Sequence, residues 1–193
     1  MRRSLSRTGL SRRNRQQRYS TKYWTDRLVD VPAFIIGNAP SLNECNLSLL
    51  ENYFTIGINR TFYKIDPTIL LWQDISLWNT EYQKLHNTQA IKVSRDVSDP
   101  RKIYYNFYLK GGPYKFDRNC SHILYGRGSS GPLAVQLAVS MGCSPVVLVG
   151  MDCMRGENGE TDFYGENKHW TDTTQENCLR GLQFLYEQCP VPI

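Results

Sequence analysis

The chain has 193 residues and a formal net charge of +5, with 40% hydrophobic, 21% charged and 12% aromatic residues. That length holds one α/β domain with a substantial core and is short for two, and the composition excludes a collagenous, wholly disordered or membrane-embedded chain. No apolar run approaches the roughly 18 to 20 residues that a spanning helix needs, so no membrane span is expected.

The positive charge sits at one end. Residues 1–22 hold seven Arg, one Lys and no acid, whereas the remainder carries 15 basic and 18 acidic residues. Residues 1–28, rich in Arg, Ser and Gln, bury too little surface to order alone, which predicts a disordered, flexible basic arm before a folded domain over 29–193. Three roles fit such an arm: a solvated extension, a docking segment for nucleic acid or another polyanion through residues 1–22, and an organelle transit peptide. The six cysteines (Cys45, Cys120, Cys143, Cys153, Cys178 and Cys189) form no C-x-x-C pair and have no histidine at ligand spacing. They read as free thiols, and with no hydrophobic secretory signal a reducing, cytoplasmic location is expected.

Val31 to Ile36 is a short continuous apolar run closed by Gly37, the pattern of a buried strand and a tight turn. Phe54 to Asn59 and Thr68 to Gln73 repeat it, with short helices expected around Asn46–Asn52 and Ser76–His86. Residues 90–120 are less regular. Ile91–Val93 has strand character, but the aromatic Tyr104–Leu109 ends in Gly111-Gly112-Pro113, and the segment reads as an excursion from the sheet. Next come a strand at His122–Tyr125, a Gly/Ser turn, a helix over Pro132–Met141 stopped by Gly142, and a strand at Pro145–Val149, which together form a βαβ unit. A polar loop, a covering helix over Thr173–Gln188 and a closing stub at Cys189–Ile193 complete a single Rossmann-like α/β domain. Its sheet is expected to be mostly parallel with helices on both faces.

Loops at the carboxyl ends of parallel strands are where such sheets bind ligands. Gly37, Asn38 and Ser41 follow the first strand, Asn59 the second, Gln73 and Asp74 the third, and Asp152 the last. Each is also explained as a loop cap, but together they predict a polar cleft. Gly126-Arg127-Gly128-Ser129-Ser130-Gly131 matches G-x-G-x-x-G between a strand and a helix. Pro132 belongs in a helix's first turn, which starts the helix near Gly131 and suits the dinucleotide fold poorly. An anion or nucleotide held by the Ser129, Ser130 and Gly131 amides and hydroxyls at the helix N-terminus fits better. The loop from Asp162 to Trp170 adds aromatics and three proton-transfer candidates, Asp162, Glu166 and His169. No P-loop, H-E-x-x-H or Asp-x-Asp motif is present, so no metal ligand is predicted.

In order, IIGNAPSL, GINRTFY, GSSGPLAVQLAVSMGCSPVVLVGMD and the FYG loop resemble bacterial CMP-sialic acid-dependent sialyltransferases. They resemble equally a set of phage-encoded relatives and the archaeal 6-hydroxymethylpterin diphosphokinase-like group. The resemblance covers about residues 31–188. It implies that Gly37, Asn38 and Ser41 contact a nucleotide, that Asn59 contacts phosphate or ribose, that Ser129, Ser130 and Gly131 surround the donor, and that Asp152 closes a Gly-x-Asp strand end. Gln73 or Asp74 stands where sialyltransferases have asparagine, and Asp162 stands where the family commonly has a histidine base, with His169 seven residues on. The implied activity is sugar transfer from a nucleotide-activated, CMP-type donor to a hydroxyl acceptor without a required metal cofactor. The alternatives are ATP-dependent, Mg²⁺-requiring diphosphate transfer and a non-catalytic nucleotide- or nucleic-acid-binding protein.

Overall fold

The computed structural model describes residues 20–95, 105–126, 128–167 and 170–193, and in it the chain builds a seven-stranded sheet. The strands are β1 (Ala33–Ile36), β2 (Phe54–Ile58), β3 (Ile69–Trp72), β4 (Ile91–Arg95), β5 (Tyr105–Lys110), β6 (Ile123–Tyr125) and β7 (Val146–Val149). They lie in the order β6-β5-β4-β3-β2-β1-β7, and every pairing is parallel. Three α-helices accompany them: α1 (Ile75–Asn87), α2 (Ser130–Ser140) and α3 (Asp172–Gln188). This is a Rossmann-like α/β domain.

Strands β1, β3 and β7 are continuous apolar runs, the pattern of a sheet covered on both faces. All four residues of β3 are buried, and successive side chains point to opposite faces. Ile69 and Leu71 join Ile35, Ile56 and Val93 in the core beneath α2. Leu70 and Trp72 face the other way, onto Leu77, Trp78 and Leu85 of α1, where the Trp72 and Trp78 rings stack with centroids 5.4 Å apart. Every residue of α2 is buried, as expected for a helix apolar on all sides. It is pressed between the sheet and α3, and it ends where Met141 gives way to Gly142 at φ +90°. Gly181 of α3 makes that layering possible, since a Cβ there would lie 2.7 Å from Pro132 Cγ.

From β1 to β6 the chain steps across the sheet in one direction, and α2 then carries it back to place β7 on the far side of β1. The winding therefore reverses between β1 and β7, and the crevice outside their carboxyl ends is the fold's natural ligand position.

Three parts of the sequence reading are corrected. The 90–120 region is not an excursion: β4 and β5 continue the ladder, with Val93 beside Tyr105 and Arg95 beside Phe107. Only Phe107 of β5 is fully buried, so the strand lacks the apolar run that marked the central ones. The folded part also begins before residue 29. Thr21 is fully buried, its hydroxyl donates to the Ser121 carbonyl at 2.6 Å, and Trp24 packs on Tyr105 with ring centroids 4.8 Å apart. The Asp26 and Leu28 amides donate to the carbonyls of Ser140 and Met141 at the end of α2. Residues 1–19 of the expected arm lie outside the described residues. The helix expected near Asn46–Asn52 is a single 3-10 turn, Leu47–Leu50, and the closing stub contributes one ladder-like bond, from Val146 N to Pro192 O at 2.9 Å.

Candidate active site: a cleft at the carboxyl edge of the sheet

The register sets Ile36 of β1 beside Gly57 of β2 and Val149 of β7, so the residues after these strands emerge together. Here the β1 and β7 loops touch. A Cβ on Gly37 would lie 2.1 Å from the Gly150 carbonyl oxygen, so only glycine allows this approach. Gly37 N donates to Val149 O at 2.8 Å and Ala39 N to Gly150 O at 3.0 Å. The Asn38 carbonyl accepts from Phe163 N at 2.8 Å, yet its side-chain Oδ1 is buried without a partner among the described residues. Buried polar atoms are nearly always paired, so this acceptor is poised for something the protein does not supply.

Opposite it lies the start of α2. The helix begins at Ser130, slightly before the expected start near Gly131, and Pro132 stands in its first turn as the sequence predicted. Ser129 occupies the N-cap with no capping bond from its side chain, which leaves the first-turn N–H groups at the positive end of the helix dipole without a side-chain cap among the described residues. A short relay fixes the flank. Gln73 Nε2 donates to Ser130 Oγ at 2.9 Å, and Ser130 Oγ donates to Asn59 Oδ1 at 3.4 Å. The Asn59 amide NH₂ is thereby turned outward, from a backbone at φ +50° that asparagine tolerates better than most residues.

The third wall is the loop Thr161–Asn167. It is locked by a reciprocal pair, Asp162 N to Gly165 O at 3.1 Å and Gly165 N to Asp162 O at 2.9 Å, and by Asn167 N donating to Thr161 Oγ1 at 2.7 Å. Asp162 is 6% exposed. Burial holds its carboxyl above the ordinary carboxylate range, against hydrogen bonds from Asn167, Tyr164 and Thr161 and the charge of Arg60. Arg60, just past β2, lies over the Tyr164 ring at 5.4 Å and pairs with Glu81 at 3.4 Å.

These walls enclose a cleft of about 280 Å³. Gly37, Asn38, Asn59, Asp74, Ser129, Ser130, Gly131 and Asp162 all line it, whereas Gln73 stands behind Ser130 and orients it. Ser41 and Asp152 do not line it; they hydrogen-bond to each other at 2.5 Å across the β1 and β7 loops. His169 lies outside the described residues. Sequence reasoning placed Trp170 only among the loop's aromatics and missed its buried indole N–H, which has no partner among the described residues, along with the thiols of Cys153 and Cys178. No local pattern marks these three, because only the tertiary fold brings them together.

A shallower depression of about 700 Å³ over Arg60, Tyr63 and Tyr164 adjoins the cleft through Asn167. A hollow of about 770 Å³ lies at the opposite edge near Thr55, Thr68 and Ile91; of its two acids, Glu51 and Asp66, the latter is engaged in capping the Gln89 and Ala90 amides. No group of three or more His, Cys, Asp or Glu suited to a metal ion exists among the described residues. No described helix is long and apolar enough to cross a membrane.

Comparison with curated proteins finds no match to the chain. A family model described as 6-hydroxymethylpterin diphosphokinase MptE-like matches residues 11–158, a segment holding all seven strands and the strand-end loops up to Asp152. The loop bearing Asp162 lies beyond the matched segment. Of the activities expected from the sequence, diphosphate transfer has this support and sugar transfer does not. With most of its length matched, the chain belongs to the MptE-like family.

Proposed function

We propose that the protein transfers diphosphate from a nucleoside triphosphate to a hydroxyl acceptor, with a 6-hydroxymethylpterin-like alcohol as the first acceptor to test. In this reaction the acceptor oxygen attacks the β-phosphorus. The bond to the α-phosphate bridging oxygen breaks, and the nucleoside monophosphate leaves. The observation that carries the reading is the uncapped start of α2 at the reversal point of the sheet, facing the unpartnered Asn38 oxygen, within a member of the MptE-like family.

The cleft's own groups divide the work. The first-turn N–H groups of α2 and the Ser129 hydroxyl hold phosphate oxygens, and they are already in place before charge develops. Asn38 and the outward Asn59 amide fix the nucleotide. Asp162, with its proton affinity raised by burial, accepts the acceptor's proton. Arg60 supplies positive charge at the rim, near enough to influence Asp162.

A magnesium ion arriving on the nucleotide needs only one or two protein carboxylates, because phosphate oxygens and water fill its remaining positions. The donor set fits: Asp74 lines the cleft and its side chain does not cap α1. Asp74 would hold the ion, which when bound neutralises charge on the transferring group.

Phosphorus NMR of the full chain with Mg²⁺, ATP and a hydroxymethyl-pterin separates the readings. AMP with a diphosphorylated acceptor is expected. ADP would mean single phosphoryl transfer, CMP released from a CMP-sugar would revive sugar transfer, and no turnover with retained nucleotide binding would mark a binding protein. Asp162→Asn should lower turnover by about 10² to 10⁴.

A further inference from the structure

The cleft contains a feature that diphosphate transfer does not use. Cys153, in the loop after β7, and Cys178, on α3, are 25 residues apart in sequence, yet both line the cleft, and each thiol perturbs the other's hold on its proton. The placement is held from both sides. Cys153 sits at φ +56°, a conformation disfavoured for a residue with a Cβ, and its thiol lies 3.6 Å from the Met151 carbonyl. Cys178 Sγ lies 4.0 Å from the hydroxyl of Ser129 at the α2 N-cap. Both are partly exposed, so a small molecule entering the cleft reaches them.

We propose that Cys153 and Cys178 are a thiol modification site, a dithiol oxidised to an intramolecular disulfide by low-molecular-weight disulfides of the glutathione class. The Cys178 thiolate attacks one sulfur of the small disulfide, whose S–S bond breaks, and one thiol leaves with the proton that Cys178 gave up. The Cys153 sulfur then attacks Cys178 in the mixed disulfide and expels the second thiol. Two protein thiols are oxidised and one small disulfide is reduced to two thiols. Cys178 is the attacking member: its sulfur lies beside Ser129 at the positive start of α2, which favours a thiolate, and its neighbour Cys153 lowers its hold on the proton. The new bond draws α3 towards the β7 loop and closes a covalent ring around the segment that carries Asp162, Asn167 and Trp170. Oxidation therefore narrows the cleft and weakens nucleotide binding; this last consequence rests on the nucleotide reading above, whereas the disulfide itself does not.

The test incubates the full chain with oxidised glutathione, quenches with acid and maps thiols by mass spectrometry. Wild type should lose two thiols together, with Cys153–Cys178 as the first disulfide. Cys153→Ser should stop with one glutathione on Cys178, and Cys178→Ser should react at residue 153 about tenfold more slowly. First modification at Cys45, Cys120, Cys143 or Cys189, or equal thiol loss in wild type and both variants, would overturn the proposal. Mg²⁺ with α,β-methylene ATP should slow the oxidation about tenfold by occupying the cleft. If the disulfide forms at an unchanged rate with that analogue present, the dithiol stands and the nucleotide reading fails.

Discussion

Asp162 is the residue on which the chemistry turns, and its environment gives it a measurable signature. A carboxyl whose folded-state affinity for protons exceeds its unfolded one is neutral in both states at low pH. Its ionisation then subtracts stability as pH rises through the folded value. Asp162→Asn, which resembles the neutral form, should therefore be more stable than wild type at pH 7.5, and the gap should close as pH falls towards the usual carboxylate value of about 4. Thermal melts across that range check the sign; a wild type that outlasts the variant increasingly as pH rises would contradict it. Ser130 is read differently, as a support. Ser130→Ala would leave Gln73 Nε2 buried with only the Gly128 carbonyl at 3.5 Å, at a cost of about 1–3 kcal/mol. Chemical denaturation should show that loss along with weaker nucleotide binding, because Asn59 loses the bond that aims its amide.

At the scale of elements, the central strands and α2 were legible because burial on both faces writes continuous apolar runs, and because Pro132 fixes where α2 begins. β5 was not legible, since half-exposed aromatics such as Tyr105 and Tyr108 carry no run and no clean alternation. Neither was the packing of Thr21 and Trp24, whose partners Ser121 and Tyr105 are some 80 to 100 residues away. The contact between α2 and α3 offers a test in which two effects oppose each other. Alanine in place of a helical glycine ordinarily gains up to about 1 kcal/mol. A Cβ 2.7 Å from Pro132 Cγ must push the helices apart, at a cost of about 1–3 kcal/mol. Gly181→Ala is therefore expected to lower Tm, by about 2–4 °C per kcal/mol for a chain of this size. A raised Tm would show that the helices are not in tight contact there.

For the whole molecule, the N-terminal arginines precede the first residues that are seen to pack on the sheet. All seven arginines of the first 22 residues stand before residue 20, while Thr21 to Leu28 pack against the sheet and the end of α2. Removing residues 1–28 should destabilise the domain relative to removing 1–19, and both truncations should lose retention on a polyanion column, with a loss that grows with salt in the intact chain. Equal melting of the two truncations, or retention unaffected by either, would contradict this division. The cleft was legible as a set of strand-end residues, because a parallel sheet gathers such residues at one edge whatever lies between them. Ser41 and Asp152 share that edge but satisfy each other, and pairing of this kind is invisible to spacing. The central claim is that this edge is a nucleoside triphosphate site, and the most direct test is titration of the full chain with Mg²⁺ and α,β-methylene ATP, followed by thermal stability. At about 100 times its dissociation constant the analogue should add about 2.7 kcal/mol, or roughly 5–10 °C, and Asn38→Ala should abolish the gain at the same concentration. An equal shift in Asn38→Ala, or stabilisation by CMP and none by the triphosphate, would contradict the account.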